Sequence, residues 1–377
     1  PRRLLACTNN QARVITVTPH SRATLATLAV MTACGSASAQ SSVTLFGVLD
    51  TAVSHYSNGP THQTVLSNSN LFNSRLGFRG SEDLGGGLSA SFWLEGALTP
   101  DDGNANGFNF MRRSTVSLGS AWGELRLGRD FTPTFWNEAV FDPFGAVGVG
   151  ALVMSPARSS STAAGRARWT SDFGANNPAY IRASNTVGYF LPPTLGGFYG
   201  QLQYALDEQV TPGNDQGRFM SGRFGYAKGP LNAALSIGKT TGSDPASAAA
   251  PDITTYNLGA SYDLGFARLS GMYSREKYER AAVSNTGKGY MVGVNVPVGV
   301  GNIVAAYSRI EIDLPRTPTS DKMAVGYVHN LSKRTALYAT YARLGNKGDA
   351  LLSVAASLPG RPNTSSSGYD LGIRHAF

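Results

Sequence analysis

The chain is poor in the residues that build reactive centres. Its 377 residues include two cysteines, Cys7 and Cys34, and five histidines, and only 15% of its residues are charged. No histidine pair has metal-ligand spacing, and no Ser/His/acid or Cys/His set stands out. The sequence therefore predicts no catalytic residue, no metal and no cofactor. Long apolar runs are also scarce. After residue 39 no stretch reaches the about 18 apolar residues of a helical membrane span, so helical spans are excluded there. Helical periodicity is missing from the alternating segments described below.

The first 39 residues read differently from the rest. They hold four arginines and no acid, then the apolar run "ATLATLAVMTA" (23–33), then "SASAQ" with small residues at Ala37 and Ala39. A basic segment, a short apolar segment and an A-x-A site form the pattern of a secretory signal peptide. The expected division is a cleaved leader over 1–39 and one domain over 40–377. Cleavage removes both cysteines, which suits an oxidising compartment. It also lowers the formal charge from +8 to +4, too modest an excess to indicate a nucleic-acid partner.

What the remaining chain has in quantity is alternation. "LSASFWLEGAL" (88–98) sets Leu88, Ala90, Phe92 and Leu94 on one side and Ser89, Ser91, Trp93 and Glu95 on the other. The final "GYDLGIRHAF" puts Tyr369, Leu371, Ile373 and Phe377 at odd positions, with Asp370, Gly372 and Arg374 between them. Such a period of two marks strands with one oily face. Sixteen strands are predicted, at 43–56, 71–80, 87–98, 110–119, 123–130, 181–191, 197–206, 217–227, 231–240, 253–263, 266–277, 288–297, 302–312, 321–330, 334–344 and 368–377. Tight Gly- and Asn-rich turns alternate with long polar connections, including 58–70 and 281–287, as in an up-and-down meander. The oily faces carry aromatics near strand ends: Phe46, Tyr199, Tyr204, Tyr226, Tyr256, Tyr262, Tyr273, Tyr307, Tyr327, Tyr338, Tyr369 and Phe377. Rings at both rims suit a membrane girdle. Open sheet edges cannot exist in lipid, so the sheet must close. The expected fold is an all-β transmembrane antiparallel barrel of sixteen strands.

One connection is oversized. Residues 131 to about 180 show no alternation but contain Phe131, Phe135, Trp136, Phe141 and Phe144. These are too many apolar groups for disorder. A barrel of this size has a wide lumen, and a long third loop can fold inside it. Parity then decides which charges face that lumen. Leu76 and Phe78 outward put Arg75 and Arg79 inward. Leu125 and Leu127 outward put Glu124, Arg126 and Asp130 inward. Val187 and Tyr189 outward put Arg182, Ser184 and Thr186 inward. Glu95 follows Trp93. Parity places Arg113 inside, and a bulge would exchange it for Arg112, so both are carried. The loop brings Glu138, Asp142 and Asp172 opposite. Arginines on neighbouring strands concentrate anions locally, and facing acids create a transverse field at the narrowest point.

The segments "SVTLFGVLDTAV", "SRLGFRGSEDLGGGLSASFWLEG" (74–96), "RRSTVSLG", "GELRLGRD" and "LGIRHAF" resemble the signature strands of general trimeric porins of Gram-negative outer membranes, most of all the anion-selective branch. The resemblance covers essentially the whole of 40–377. It implies a water-filled channel for passive diffusion of small hydrophilic solutes and anions, assembled as a homotrimer in outer-membrane lipid and lipopolysaccharide. It implies that the third loop lines the constriction. It also implies that arginines matching Arg75, Arg182 and one of Arg112 and Arg113 stand on the opposing wall. Phe377 looks like the family's assembly signal, read by the barrel-insertion machinery. Two other readings compete: a channel selective for organic acids or phosphate, which would saturate with one solute, and a surface protein whose loops are the function.

Overall fold

The structure is a computed structural model that describes residues 42–103, 109–154, 180–208, 210, 216–242, 252–280 and 283–377. The leader expected over 1–39 lies outside these residues, as does Asp172. The described chain forms β1 (Ser42–Asn58), β2 (Thr61–Asn68), β3 (Arg75–Gly85), β4 (Leu88–Ala97), β5 (Arg113–Ser120), β6 (Gly123–Phe131), α1 (Pro133–Phe141), β7 (Arg182–Phe190), β8 (Phe198–Ala205) and β9 (Phe219–Lys228). It continues with β10 (Leu231–Thr241), β11 (Asp252–Asp263), β12 (Arg268–Arg280), β13 (Val283–Val298), β14 (Gly301–Ile312), β15 (Thr319–Asn330), β16 (Thr335–Lys347) and β17 (Ser366–Ala376).

Apart from β2 and β3, which both pair with β1, each strand pairs antiparallel with its chain neighbours, and the sheet closes on itself. β17 runs beside β1 from Val48↔Ala376 to Asn58↔Ser366. On its other side β1 pairs with β2 through its second half and with β3 through its first half. β2 and β3 therefore occupy one position, interrupted by an excursion at 69–74, and the barrel has sixteen positions. Closure of β17 on β1 removes the two end edges that an open sheet would present to lipid, which is the condition for spanning a membrane with strands.

Alternation is read out as expected over most of the wall. Tyr369, Leu371, Ile373 and Phe377 are exposed on the outside, whereas Asp370 between them is buried inside. Outward aromatic rings form two levels. Tyr204, Tyr256, Tyr273, Tyr290, Tyr307, Tyr341 and Tyr369 lie toward the long connections. Trp122, Tyr189, Phe198, Tyr226, Tyr262, Tyr327 and Phe377 lie toward the short turns. These are the two girdles of an apolar band.

Three features differ from the sequence expectation. Residues 61–68 form β2 instead of a polar loop: "THQTVLSN" has mixed polarity on both faces, and its pairing with β1, with Thr64 bonding His55 and Ser67 bonding Ser54, defines it. Likewise β13 begins at Val283, pairing with Arg280, inside the expected 281–287 loop. Phe46, Tyr199 and Tyr338 point inward: Phe46 meets the inward Trp93 edge-on at 5.0 Å, Tyr199 bonds Asn232 at 2.7 Å, and Tyr338 donates to the buried Asp50. Each has a polar or aromatic partner inside that no alternation pattern encodes.

Candidate functional site: the constriction

The oversized loop enters the lumen through a helix missed in the sequence. Thr132 is its N-cap, accepting from the Phe135 amide, and Pro133 takes the first helical position, where its missing N–H costs nothing. α1 packs on the inner wall of β8 to β12. Its Asn137 donates to Ala234 O at 3.2 Å and Asn257 Oδ1 at 2.7 Å, and accepts from Arg223 Nε at 2.7 Å. Beyond the helix the loop continues round the same wall. Phe141 and Pro143 settle over Gly259 and Gly293, inward positions where a methyl group would overlap the ring or the prolyl carbons. Val153 N donates to Ser308 Oγ at 3.0 Å, Lys322 Nζ to Ala151 O at 2.6 Å, and Val149 N to Asp370 Oδ2 at 3.0 Å. The described part of the loop is thus fastened to β9 through β17.

The wall of β3 to β7 carries the arginines. Arg75 Nε lies 3.7 Å from Glu95, and Arg112 Nε donates to the same carboxylate at 2.7 Å. Arg113 Nε lies 3.7 Å from Asp130, and Arg126 donates to Asp130 at 2.6 Å and Glu124 at 2.8 Å. Arg182 Nε donates to Arg112 O at 2.8 Å. Both members of the 112/113 pair reach this cluster, so the ambiguity resolves as two inward arginines instead of one. Arg182 reaches it by an irregular route. The register slips between Gly128 and Asp130, with Asn185 at φ +57°, so Ala183 and not Ser184 lies opposite Asp130.

Aromatic faces orient the guanidinium groups, a role the sequence reading missed. Arg113 lies 4.5 Å and Arg79 5.2 Å from the Trp93 ring. Arg182 sits 4.5 Å over Phe131, Arg75 4.8 Å over Phe72, and Arg126 3.9 Å over Phe190. Cation–π contacts hold the cation in place without neutralising it. The available signal was Trp93, a large ring at hydrophilic parity.

The wall acids stand where parity places them, but the two described loop acids do not stand free opposite the arginines. Glu138 and Asp142 are buried within the loop and present no carboxylate to open water. Asp142 accepts the amides of Phe144 and Ala146 at 2.9 Å and of Leu152 at 3.1 Å, so it shapes the loop from within. Glu95, Glu124 and Asp130 instead stand among the arginines and brace them. Five arginines (Arg75, Arg112, Arg113, Arg126, Arg182) against these three acids leave the wall with a positive excess.

A closed barrel with an apolar outer band between two aromatic girdles, a charged interior and an inward loop defines a transmembrane channel of the outer-membrane type. The chain belongs to the Gram-negative porin family, whose description it matches over residues 26–349. It is 42% identical over 366 residues to outer membrane porin protein 32 of Delftia acidovorans, covering 94% of this chain and 99% of that protein. It is 29% identical over 410 residues to an outer membrane porin protein of Bordetella pertussis, covering 91% of this chain and 96% of that protein. Among solved structures, the anion-selective porin from Comamonas acidovorans superposes with a TM-score of 0.80 at 40% identity, over 90% of this chain and 100% of that one. OmpT of Vibrio cholerae, at 13% identity and a TM-score of 0.63, covering 90% of this chain and 100% of that one, shares the fold. The protein is an outer-membrane porin.

Proposed function

We propose that this porin passes small hydrophilic solutes by passive diffusion with a preference for anions, and that the arginine wall of β3 to β7 sets the preference. Flux, not catalysis, is the activity. The observation that carries this reading is the positive excess of Arg75, Arg112, Arg113, Arg126 and Arg182 over Glu95, Glu124 and Asp130, on the wall opposite the one that holds the loop. Similarity to a porin described as anion-selective supports it. Asp172 would add an acid to the constriction from the loop. Water-filled geometry keeps each contact weak, so an anion is drawn in and released. The test is single-channel recording in a planar bilayer under a KCl gradient. A reversal potential on the chloride side is expected. A potential on the potassium side would overturn the reading.

The working unit in this reading is a homotrimer. The outer face of β17, β1 and β2 shows Leu45, Leu49, Val53, Leu66, Leu371 and Ile373 with no Lys, Arg, Asp or Glu, whereas β10 to β16 carry charges above the girdle. An uncharged face is suited to burial against a second subunit. Export by a leader over 1–39, insertion directed by Phe377 and contact with lipopolysaccharide belong to the same proposal.

A further inference from the structure

Two histidines share the outer face of the β1–β2 hairpin. His55 and His62 are brought together because the turn after Asn58 folds β2 back along β1. His55 lies opposite Thr64 and Ser57 lies opposite His62, so the two rings are diagonal neighbours on adjacent strands. Their centres stand 6.2 Å apart with planes inclined by 29°. The other histidines of the described chain, His329 and His375, stand on β15 and β17 with β16 between them.

The surroundings orient the first ring and leave the second able to turn. Nδ1 of His55 is 2.8 Å from Thr64 Oγ1, and the ring lies against Tyr369 at 5.6 Å with planes 23° apart. With its proton on Nδ1, donated to the threonine hydroxyl, His55 keeps a lone pair on Nε2. A hydrogen bond at one ring nitrogen, fixing tautomer and orientation, is the usual support of a metal-ligating histidine. His62 is exposed and makes no hydrogen bond among the described residues. In a tetrahedral complex with Zn–N bonds of about 2.0–2.1 Å, two imidazole centres lie about 5 Å apart. The pair has to close by only about an ångström, which rotation of the exposed His62 supplies.

The chemistry of the neighbours selects the ion. Outward residues around the pair are Val53, Ser57, Leu66, Ser367 and Leu371, so no Lys or Arg repels a cation and no carboxylate attracts a hard one. Two imidazoles suit zinc, nickel or copper, whereas magnesium and calcium take oxygen ligands. No third His, Cys, Asp or Glu joins the pair among the described residues, so water completes the coordination. We propose that His55 and His62 chelate one divalent transition-metal ion of the zinc, nickel and copper class on the outer surface, at the level of the Tyr369 girdle. The ion ties β2 to β1, the strand with which β2 forms its ladder. The site is separate from the arginine wall and does not rest on the selectivity reading.

The experiment uses the untagged full barrel purified in detergent, titrated with ZnCl2 by calorimetry and with CuCl2 by electron paramagnetic resonance. Zinc is expected to bind at one ion per chain, a ratio that is the same for a single barrel and for a trimer. The copper spectrum should show hyperfine coupling to two imidazole nitrogens, which tests the pair without any variant. H55Q and H62Q should each weaken zinc binding by about tenfold or more, and T64V by about tenfold through loss of the supporting hydroxyl. H329Q/H375Q should leave binding unchanged. Heat-dependent gel mobility confirms that each variant is a folded barrel. Coupling to a single nitrogen, one ion per three chains, or zinc affinity retained in H55Q/H62Q overturns the proposal. Displacement of zinc by equimolar magnesium would assign the ion to oxygen ligands and overturn it as well.

Discussion

At the scale of single residues, the site is a contest between cations and the carboxylates that brace them. Arg75, Arg113 and Arg182 have the weakest acid support: Arg75 and Arg113 each stand 3.7 Å from a carboxylate, and Arg182 is held by a backbone carbonyl and the Phe131 ring. In the proposed reading their charge is the part that a passing anion meets. In water, one such charge at about 6 Å is worth ~0.7 kcal/mol. Reversing two changes the anion's energy by about four times that and the cation's by as much in the opposite sense, so the difference shifts by about eight times that, of which screening at ordinary ionic strength removes roughly half. R75E/R182E should then lower the anion-to-cation permeability ratio by about a hundredfold, read from the reversal potential. An unchanged potential would remove both residues from the selectivity site. The inward positions of Arg75 and Arg126 were legible because strict alternation on their own strands decides them. Arg112 and Arg182 were harder, since one precedes its strand and the other follows a register slip. The burial of Glu138 and Asp142 was not legible at all, because it depends on how a loop without periodicity folds, Asp142 gathering the amides of its own loop.

At the scale of elements, the loop is held open by its own carboxylate and held down by the wall. Asp142 satisfies three loop amides, and an unmet buried donor costs about 1–3 kcal/mol. D142A should therefore free the segment 142–152 to fluctuate, seen as larger current noise at similar mean conductance. Quiet traces in D142A would mean that the contacts of Phe141 with Gly259 and of Lys322 with Ala151 suffice alone. The barrel strands were largely legible, because each buries one face in lipid and writes that asymmetry at period two. β2 was not, since its outward His62, Thr64 and Leu66 have no consistent polarity. α1 left only Thr132-Pro133 as a trace. The long connections have their own clasp. Asp349 accepts from Arg316 at 2.5 Å and from Asn363 Nδ2 at 2.9 Å, and the two donors hold its carboxyl below its ordinary range, Arg316 being the larger cause. A depressed acid contributes above its unfolded value, near 3.9, and loses the contribution as pH falls through the folded one. Protease clipping of residues 348–365 should accordingly be constant from pH 7 to pH 5 and rise only below about pH 4. An increase already at pH 6 would assign the opening to another group.

At the scale of the whole molecule, closure depends on where β17 meets β1, and Phe377 stands at that seam. Its amide donates to Gly47 O at 3.0 Å and its carbonyl accepts from Gly47 N at 3.1 Å. Its ring covers Gly47 so closely that any side chain at 47 would overlap it. Gly47 shares the outward parity of Leu45 and Leu49, so the ring completes the apolar band where the glycine leaves it bare. Two roles are thus joined in one residue, a backbone rung that shuts the barrel and an aromatic group offered to the outside. They separate under mutation. F377A keeps the rung and removes the ring, whereas deletion of Phe377 removes both. If the ring is what the insertion machinery reads, F377A and the deletion should both lower the yield of folded barrel in the outer membrane severalfold. Both purified proteins should still refold in detergent, which heat-dependent gel mobility reports. If the seam is what matters, F377A should insert normally and only the deletion should fail, in cells and in detergent alike. Normal yield from both variants would exclude either role.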